Sequence, residues 1–526
     1  MSIDAHSKGT TPADDGIPAA ATAPEPAPPA GAPTPAPTTR GSLRPLLLRL
    51  HFYAGLLVAP LLLVAAVSGL LYALSFQAEK LVYRDELRTS VGERVLPLSE
   101  QVAAARQANP EGTVTAVWPS HEDGATTRVL MTSPKVDEGL SLAVFVDPYT
   151  AQVRGELASY GSSGALPLRT WLSRLHVDLH LGETGRHYSE LAASWLWVVA
   201  LGGLLLWLGR RRRARRDLVL PDRTATGRRR TLSRHGVVGL WAVTGLVLIS
   251  ATGLTWSRYA GENIGVLQDR LGGASPSVSA ALSPGGEESG GHEGHGDGDH
   301  SGHGSAHDGA DIGIDNAVAA ARGHGVDGKI AVTMPAEGTG YVVKETDNQY
   351  PVHLDAVAVD PADGRVIDEL RFADYPLLAK ATRLGIDIHM GVLFGLVNQL
   401  ALAALMVALI LLVVWGYRMW WLRRPTKDVR MSFGRPVPRG AWRRLPVTAL
   451  LPVAAAAVVA GWFVPLLGIS LLVFLAFDLA LGALAKARKA PSADAPSGTD
   501  APDGADTPSG IDIPDGTDAP AGADAR

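Results

Sequence analysis

The chain has 526 residues, of which 46% are hydrophobic and none is cysteine, and its formal net charge is −4. The absence of cysteine excludes disulfides, cysteine-ligated iron–sulfur clusters and thiolate-bound or covalently attached haem, so any metal chemistry must rest on histidine. The small net charge excludes no class of partner, because acidic tails offset basic loops.

Polar tails are predicted at both ends of the chain. Residues 1–44 are rich in Pro, Ala and Thr and lack the apolar stretch of a signal peptide, which predicts a disordered cytoplasmic tail. Residues 486–526 repeat Asp, Ala, Pro and Gly and predict a second disordered tail.

Six apolar runs lie between the tails, and runs of about 20 such residues are long enough to cross a bilayer. The last two are short and meet at Pro465, which predicts a tight hairpin, with a single bent segment as the alternative. The sequence therefore predicts a polytopic α-helical membrane protein with about six transmembrane helices in a lipid bilayer. The runs cover roughly 51–76, 189–209, 235–257, 391–416, 447–463 and 466–484.

Arginine is concentrated at the ends of these runs. Residues 210–235 hold eleven arginines, and a second basic stretch follows the fourth run. Because basic loops remain in the cytoplasm, the pattern predicts a multi-pass protein of the cell (inner or cytoplasmic) membrane with both termini cytoplasmic. Segments 77–188 and 258–390 are then outside. Topology explains the arginine clusters, so no nucleic-acid partner is expected.

The two outer segments share one order of predicted elements. A helix comes first, with Ser99 as a plausible N-cap in the first segment, and strands and an Asp-Pro turn follow. This order predicts two small α+β extracytoplasmic domains and an internal duplication of the unit helix–domain–helix. The predicted strands are 114–118, 128–132 and 142–146 in the first segment, and 330–333, 340–344 and 356–359 in the second.

Histidines recur at the repeat-related positions. His51 opens the first run as His235 opens the third, and a second aligned pair sets His180 opposite His389. His176 lies four residues before His180, so on a helix the two would share a face. A histidine at a membrane helix end is costly unless something uses it. The repeats therefore predict two bound cofactors or metals.

These motifs resemble those of the PepSY-associated transmembrane family. The resemblance covers about 45–425 and rests on the Leu-His openings of two spans, the run from Leu175-His176 to Gly185-Arg186, and the Val-Asp-Pro turn that closes each outer segment. It implies PepSY-like outer domains. Members of this family are similar to iron-regulated inner-membrane proteins and to ferric-siderophore reductases that hold two b-type haems.

The resemblance implies transmembrane electron transfer through two b-type haems, each held by two imidazoles. His51 with His235 would hold one near the cytoplasmic face. His389 would hold the other with His176, which the family motif favours, or with His180, which the repeat favours. The expected reaction is reduction of ferric iron or ferric siderophore outside. The alternative is a non-enzymatic membrane PepSY protein that binds a peptide, metal or protein partner.

An insert in the second outer segment has no counterpart in the first. It lies in a His-rich linker over 275–310, and its glycines argue against a rigid site. Loose binding of Zn, Cu or Ni is predicted, and a flexible polar linker is the alternative. The candidate ligands are His292, His295, His300, His303 and His307.

Nucleotide motifs are absent from the sequence. It contains no Gly-x-Gly-x-x-Gly between a strand and a helix and no Walker loop, so NAD(P)H and ATP are not expected ligands. The expected electron donor is quinol or a separate flavoprotein, and no catalytic residue is predicted.

The predicted organisation follows from these elements. Transmembrane helices are expected within 45–80, 166–212 (behind an amphipathic segment), 234–258, 374–422 and 447–485 (the hairpin), PepSY-like outer domains over 81–165 and 311–373, basic cytoplasmic loops over 213–233 and 423–446, and tails over 1–44 and 486–526.

Overall fold

The computed structural model describes residues 43–210, 215–282, 311–423 and 446–487. Its helices are α1 Arg44–Leu57, α2 Ala59–Val82, α3 Arg84–Leu87, α4 Leu98–Ala108, α5 Pro167–Val177, α6 Glu183–Leu208, α7 Arg216–Val219, α8 Gly227–Leu254, α9 Tyr259–Arg270, α10 Ile314–Gly323, α11 Leu377–Met390, α12 Gly395–Trp421, α13 Val447–Phe463 and α14 Pro465–Ala487. Its strands are β1 Thr113–Trp118, β2 Thr127–Thr132, β3 Ser141–Val146, β4 Val153–Ser159, β5 Ile330–Thr333, β6 Tyr341–Glu345, β7 Ala356–Val359 and β8 Val366–Leu370.

Five of the described helices are long and apolar enough to cross a membrane, namely α2, α6, α8, α12 and the part of α14 up to Leu484. The fifth predicted run forms α13, which has 17 residues and contains Pro452. That length is below the approximately 20 residues that a bilayer core requires. The chain is therefore a polytopic membrane protein, and five of the six predicted runs form helices of spanning length in the described part of the chain.

The last two helices fold back on each other. A Cβ atom built on Gly461 would lie 2.9 Å from the Cα atom of Gly468. Residues seven apart in one continuous helix are separated by about 10 Å, so the chain reverses between Phe463 and Pro465. Of the two alternatives for this region, the hairpin is the one observed.

The first predicted span is interrupted at Val58, between α1 and α2. Pro60 has no N–H to donate to the carbonyl of Leu56, and such a freed carbonyl is costly in an apolar environment. The Tyr417 hydroxyl of α12 donates to the Leu56 carbonyl at 3.0 Å. The phenol therefore satisfies the acceptor that the proline leaves open.

The outer segments form one eight-stranded antiparallel sheet in the order β4-β3-β2-β1-β5-β6-β7-β8. Two separate small domains were expected, but β1 and β5 pair directly, with Val117 opposite Val332. Each would otherwise be an edge strand with unpaired backbone groups. The outermost strands β4 and β8 follow the two Asp-Pro turns and were not among the predicted strands.

One face of the sheet is covered by α4 and α10, and a single core of apolar side chains lies beneath them. The core includes Val117, Val129 and Val144 from the first half and Val332 and Val343 from the second, all fully buried. Because side chains alternate along a strand, the residues between these positions lie on the opposite face.

The prediction that Ser99 caps the first outer helix is wrong. The helix α4 begins at Leu98, and Pro97 occupies the N-cap without a side-chain cap. The carboxylate of Asp315, in the first turn of α10, accepts hydrogen bonds from the amides of Leu98 at 2.7 Å and Ser99 at 3.1 Å. The cap comes from the other half of the sheet domain, so local sequence could not identify it.

Asp315→Ala is expected to destabilise the sheet domain by about 1–2 kcal/mol, the usual cost of losing a helix cap. Thermal unfolding of the detergent-solubilised chain measures the loss. Glu138→Ala, in an exposed turn, is the matched control and should leave the melting temperature unchanged. Equal melting temperatures for the two variants would contradict the capping role.

Candidate functional site

His51 of α1 and His235 of α8 face each other inside the helix bundle. Their ring centroids are 6.4 Å apart and the ring planes meet at 75°. Two imidazole nitrogens bound to one metal ion at about 2.0 Å each put the ring centroids about 6 Å apart. This pair, called the inner pair below, is therefore spaced to hold one metal atom between its rings.

Backbone carbonyls orient both rings of the inner pair. Nδ1 of His51 lies 3.0 Å from the Val199 carbonyl of α6, and Nδ1 of His235 lies 3.1 Å from the Leu412 carbonyl of α12. A carbonyl can only accept, so each Nδ1 carries the proton. Each Nε2 then keeps a free lone pair, which is the state in which a histidine binds a metal.

Gly203 allows α6 to approach His51. A Cβ atom at this position would lie 2.9 Å from Cε1 of the imidazole, closer than carbon atoms normally pack. A larger residue would displace the ring from the Val199 carbonyl, so the glycine is part of the geometry that fixes His51.

Hydroxyl groups orient two further histidines. Nδ1 of His176, in α5, lies 2.9 Å from Oγ of Ser68, and Nδ1 of His389, in α11, lies 2.8 Å from Oγ1 of Thr252. Each hydroxyl donates to a helix carbonyl four residues earlier, at 3.0 Å for Ser68 and 2.7 Å for Thr252. Because its single proton is used there, the hydroxyl oxygen accepts from Nδ1. These two histidines therefore also expose Nε2 as an acceptor.

The two hydroxyl residues are repeat-related and each is followed by glycine. A Cβ atom on Gly69 would lie 3.1 Å from Cε1 of His176, and one on Gly253 would lie 3.3 Å from Cε1 of His389. His389 also lies within electrostatic range of His176. His176 and His389, called the outer pair below, thus occupy equivalent environments. No role was predicted for Ser68 or Thr252 from the sequence.

The inner and outer pairs lie at different depths of the bundle. Ser68 follows His51 by 17 residues, and Thr252 follows His235 by the same number. Seventeen helical residues rise by about 25 Å, which is most of the thickness of a bilayer core. The four histidines therefore form two levels, one near each end of the spans.

His180 lies apart from the outer pair. It follows the end of α5 with φ at +55°, its amide donates to Asp178, and its exposed ring stacks 4.9 Å from that of Trp171. The left-handed turn at Leu179 and His180 ends the helix on which His176 and His180 would have shared a face. Of the two candidates, the structure puts His176 in the bundle.

The donor set limits which metal group could bind. Among the described residues, no group of three or more His, Asp or Glu side chains could hold a metal ion. A bare ion between two imidazoles would be under-coordinated, whereas a porphyrin supplies four nitrogens and needs two axial ligands. All four histidines are partly buried among the helices. The spacing of the inner pair fits a bis-histidine haem, and the outer pair offers the same kind of donors.

The predicted ligands of the His-rich insert, His292, His295, His300, His303 and His307, lie outside the described residues. The same holds for residues 1–42 and 488–526 of the two predicted tails and for parts of the two basic loops. His187 lies within the described part, but its two nitrogens contact the Glu183 carbonyl and the Tyr259 hydroxyl, so it offers no open ligand position.

The family model described as the PepSY-associated TM region matches residues 48–423. The match includes both histidine pairs and the whole sheet domain, and it ends before α13. No curated protein matches the chain.

Proposed function

The chain belongs to the PepSY-associated transmembrane family, and from that premise we propose that it transfers electrons across the membrane through two b-type haems. The inner pair would hold one haem and the outer pair the other. A haem held by two imidazoles would supply one-electron transfer at each level.

One observation supports this proposal most directly. All four imidazoles are anchored through Nδ1 and leave Nε2 without a hydrogen-bond partner among the described residues. A histidine that served only packing or the membrane interface would have no reason to share this arrangement at four positions. The carbonyl and hydroxyl acceptors fix the tautomer and the ring orientation, which is the usual role of such partners at metal sites.

The protein groups around each level differ in a way that would affect iron held there. The inner imidazoles donate to backbone carbonyls and the outer ones to hydroxyl groups. A carbonyl is the stronger acceptor, so it makes the inner ligands more basic and favours ferric iron there. The lower potential would then be at the inner level, which favours electron movement toward the outer level.

The proposed reaction is reduction of ferric iron, bound by a chelator, at the outer face. Electrons would enter from quinol or from a separate flavoprotein. The iron substrate rests on the family resemblance, and the position of the outer pair close to the sheet domain is compatible with it.

We infer further that the chain arose by duplication. The two halves of the sheet repeat one order of helix and four strands, and the spacing from histidine to hydroxyl residue is the same in both halves. The two histidine levels are then a consequence of that repeat.

An absorption spectrum of the purified full-length chain, expressed with ample haem supply, tests the proposal. We expect the spectrum of low-spin bis-histidine haem and two haems per chain by pyridine haemochrome. Protein without non-covalent haem would overturn electron transfer. It would favour a sheet domain that binds a peptide, metal or protein partner.

The proposed orientation puts the loop at 213–233 in the cytoplasm and the sheet domain outside. Because the chain has no cysteine, single cysteines at Ser162 and Thr226 report on the two sides. An impermeant thiol reagent should label Ser162→Cys in intact cells and label Thr226→Cys only after lysis. The opposite labelling pattern would reverse the topology.

A further inference from the structure

The face of the sheet opposite α4 and α10 carries an arginine enclosed by aromatic rings. Arg128 of β2 pairs across the sheet with Trp118 on one side and Phe145 on the other. Its guanidinium carbon lies 5.2 Å from the centre of the Trp118 ring and 5.1 Å from that of Phe145. Aromatic faces hold an arginine in place and stabilise its charge.

A second arginine converges on the same point. Arg128 and Arg169, which lies in the first turn of α5, both donate to the carbonyl of Gly164, at 2.8 and 3.2 Å. Gly164 has φ at +56° and its backbone lies against the Trp118 ring, so no side chain fits there. Arg169 also forms an ion pair with the buried Glu79 at 3.2 Å. That carboxylate offsets one of the two charges.

Two lysines add to the positive charge. Lys329 precedes β5 and, by alternation with the buried Ile330, lies on the same face as Arg128. Burial lowers the pKa of Lys329, with further lowering by Arg128, Arg169 and Lys80 and an opposing effect of Asp347. The side chains of Lys329 and Lys80 are nevertheless exposed to solvent, whereas Arg169 is buried, so the two lysines are the cations of this set that a ligand from solvent reaches first.

Arg128, Arg169, Lys80 and Lys329 are called the basic cleft below. These four positive charges outnumber the carboxylates near them among the described residues. Glu79 is already paired with Arg169, and Asp347 is the remaining carboxylate near Lys329. Burial and the charge of Arg169 lower the pKa of Arg128 to about 10. Like charges held together in this way are costly unless an anion joins them.

The basic cleft is close to the outer pair. Arg169 and His176 lie seven residues apart on α5, which is about 10 Å along one side of the helix. A ligand in the cleft would therefore sit beside the outer histidines.

We infer that the basic cleft of Arg128, Arg169, Lys80 and Lys329 binds the carboxylate groups of an anionic ferric chelate. The inference rests on the proposed function and specifies its substrate class. Cationic and neutral chelates are then poor ligands, because the cleft offers them no compensating charge.

Gallium(III) citrate is the probe for the test, since gallium has the charge of ferric iron but cannot be reduced under these conditions. Calorimetry on the full-length chain in nanodiscs should show binding that weakens as salt is raised. Lys329→Glu should weaken binding about tenfold by placing like charge against the ligand. Arg322→Glu, an exposed arginine of α10 on the covered side of the sheet, is the control and should bind as the parent does.

Arg128→Lys provides a second test. It keeps the positive charge but loses the planar guanidinium that lies between the Trp118 and Phe145 rings, so it should also weaken binding. Equal affinity of the parent and Lys329→Glu, or equal affinity for a gallium trihydroxamate bearing a free amine, would overturn the inference. Haem-loaded protein that binds no gallium citrate would also overturn it and leave electron transfer standing. Haem-free protein with Lys329-dependent binding would overturn electron transfer and support the anion site.

Discussion

Replacing His235 by alanine is expected to reduce the haem content from two per chain to one. The ring centroids of the inner pair are 6.4 Å apart, and loss of one imidazole would leave the iron with a single protein ligand. His51→Ala should give the same loss, because both residues would bind the same iron. Pyridine haemochrome content and the absorbance of the reduced protein measure the effect.

His187→Ala is the control for these variants, since this residue lies in α6 but its ring nitrogens contact the Glu183 carbonyl and the Tyr259 hydroxyl. His235→Met guards against a variant that fails to fold, because methionine can replace histidine as an axial ligand and raises the potential of the iron. We expect two haems and a higher inner potential for this variant. Two unaltered haems in both alanine variants would contradict the inner pair.

Replacing His176 by alanine is expected to remove the other haem, and His180→Ala is expected to remove none. Nδ1 of His176 is held by Ser68 inside the bundle, whereas the exposed ring of His180 stacks on Trp171. His389→Ala should match His176→Ala. Redox titration identifies which of the two haems remains, and the inner one should keep its potential in all three variants.

A reversed result, with the haem lost in His180→Ala and kept in His176→Ala, would show that α5 is arranged differently in the loaded protein. Thr252→Val offers a graded comparison, because it removes the hydroxyl that orients His389 without removing the ligand. A shift of the outer potential with both haems retained is expected from that variant.

The inner pair could be predicted from the sequence because its two histidines open similar apolar runs at the same repeat position. The outer pair was predicted only as His389 with either His176 or His180, because α5 and α11 end differently. His176 lies in the last turn of α5, which ends at Val177, and His389 lies in the last turn of α11, which ends at Met390. Alignment of Gly182 with Gly391 sets His180, and not His176, opposite His389. The two candidates differ by four positions, which is about one helical turn. The positive φ angles at Leu179 and His180 that cause this are not visible in the sequence.

The strands were largely predictable because alternating apolar residues mark them, but their assembly was not. Pairing of β1 with β5 joins residues more than 200 positions apart, and neither strand carries a local signal for its partner. The same holds for the Asp315 cap on α4 and for the Tyr417 hydroxyl at the Pro60 break. Each depends on contacts between distant segments, which local pattern does not specify.

The continuous sheet has a consequence for biosynthesis. When β1 leaves the ribosome, its partner β5 is still about 200 residues away, and at about 5–20 residues per second its synthesis takes roughly 10–40 s. During that interval β1 is an open edge and α4 lacks the Asp315 carboxylate at its N-terminus. Two membrane segments, α6 and α8, must also be inserted before the edge closes. The nascent first half therefore needs protection from other chains until the second half has been translated.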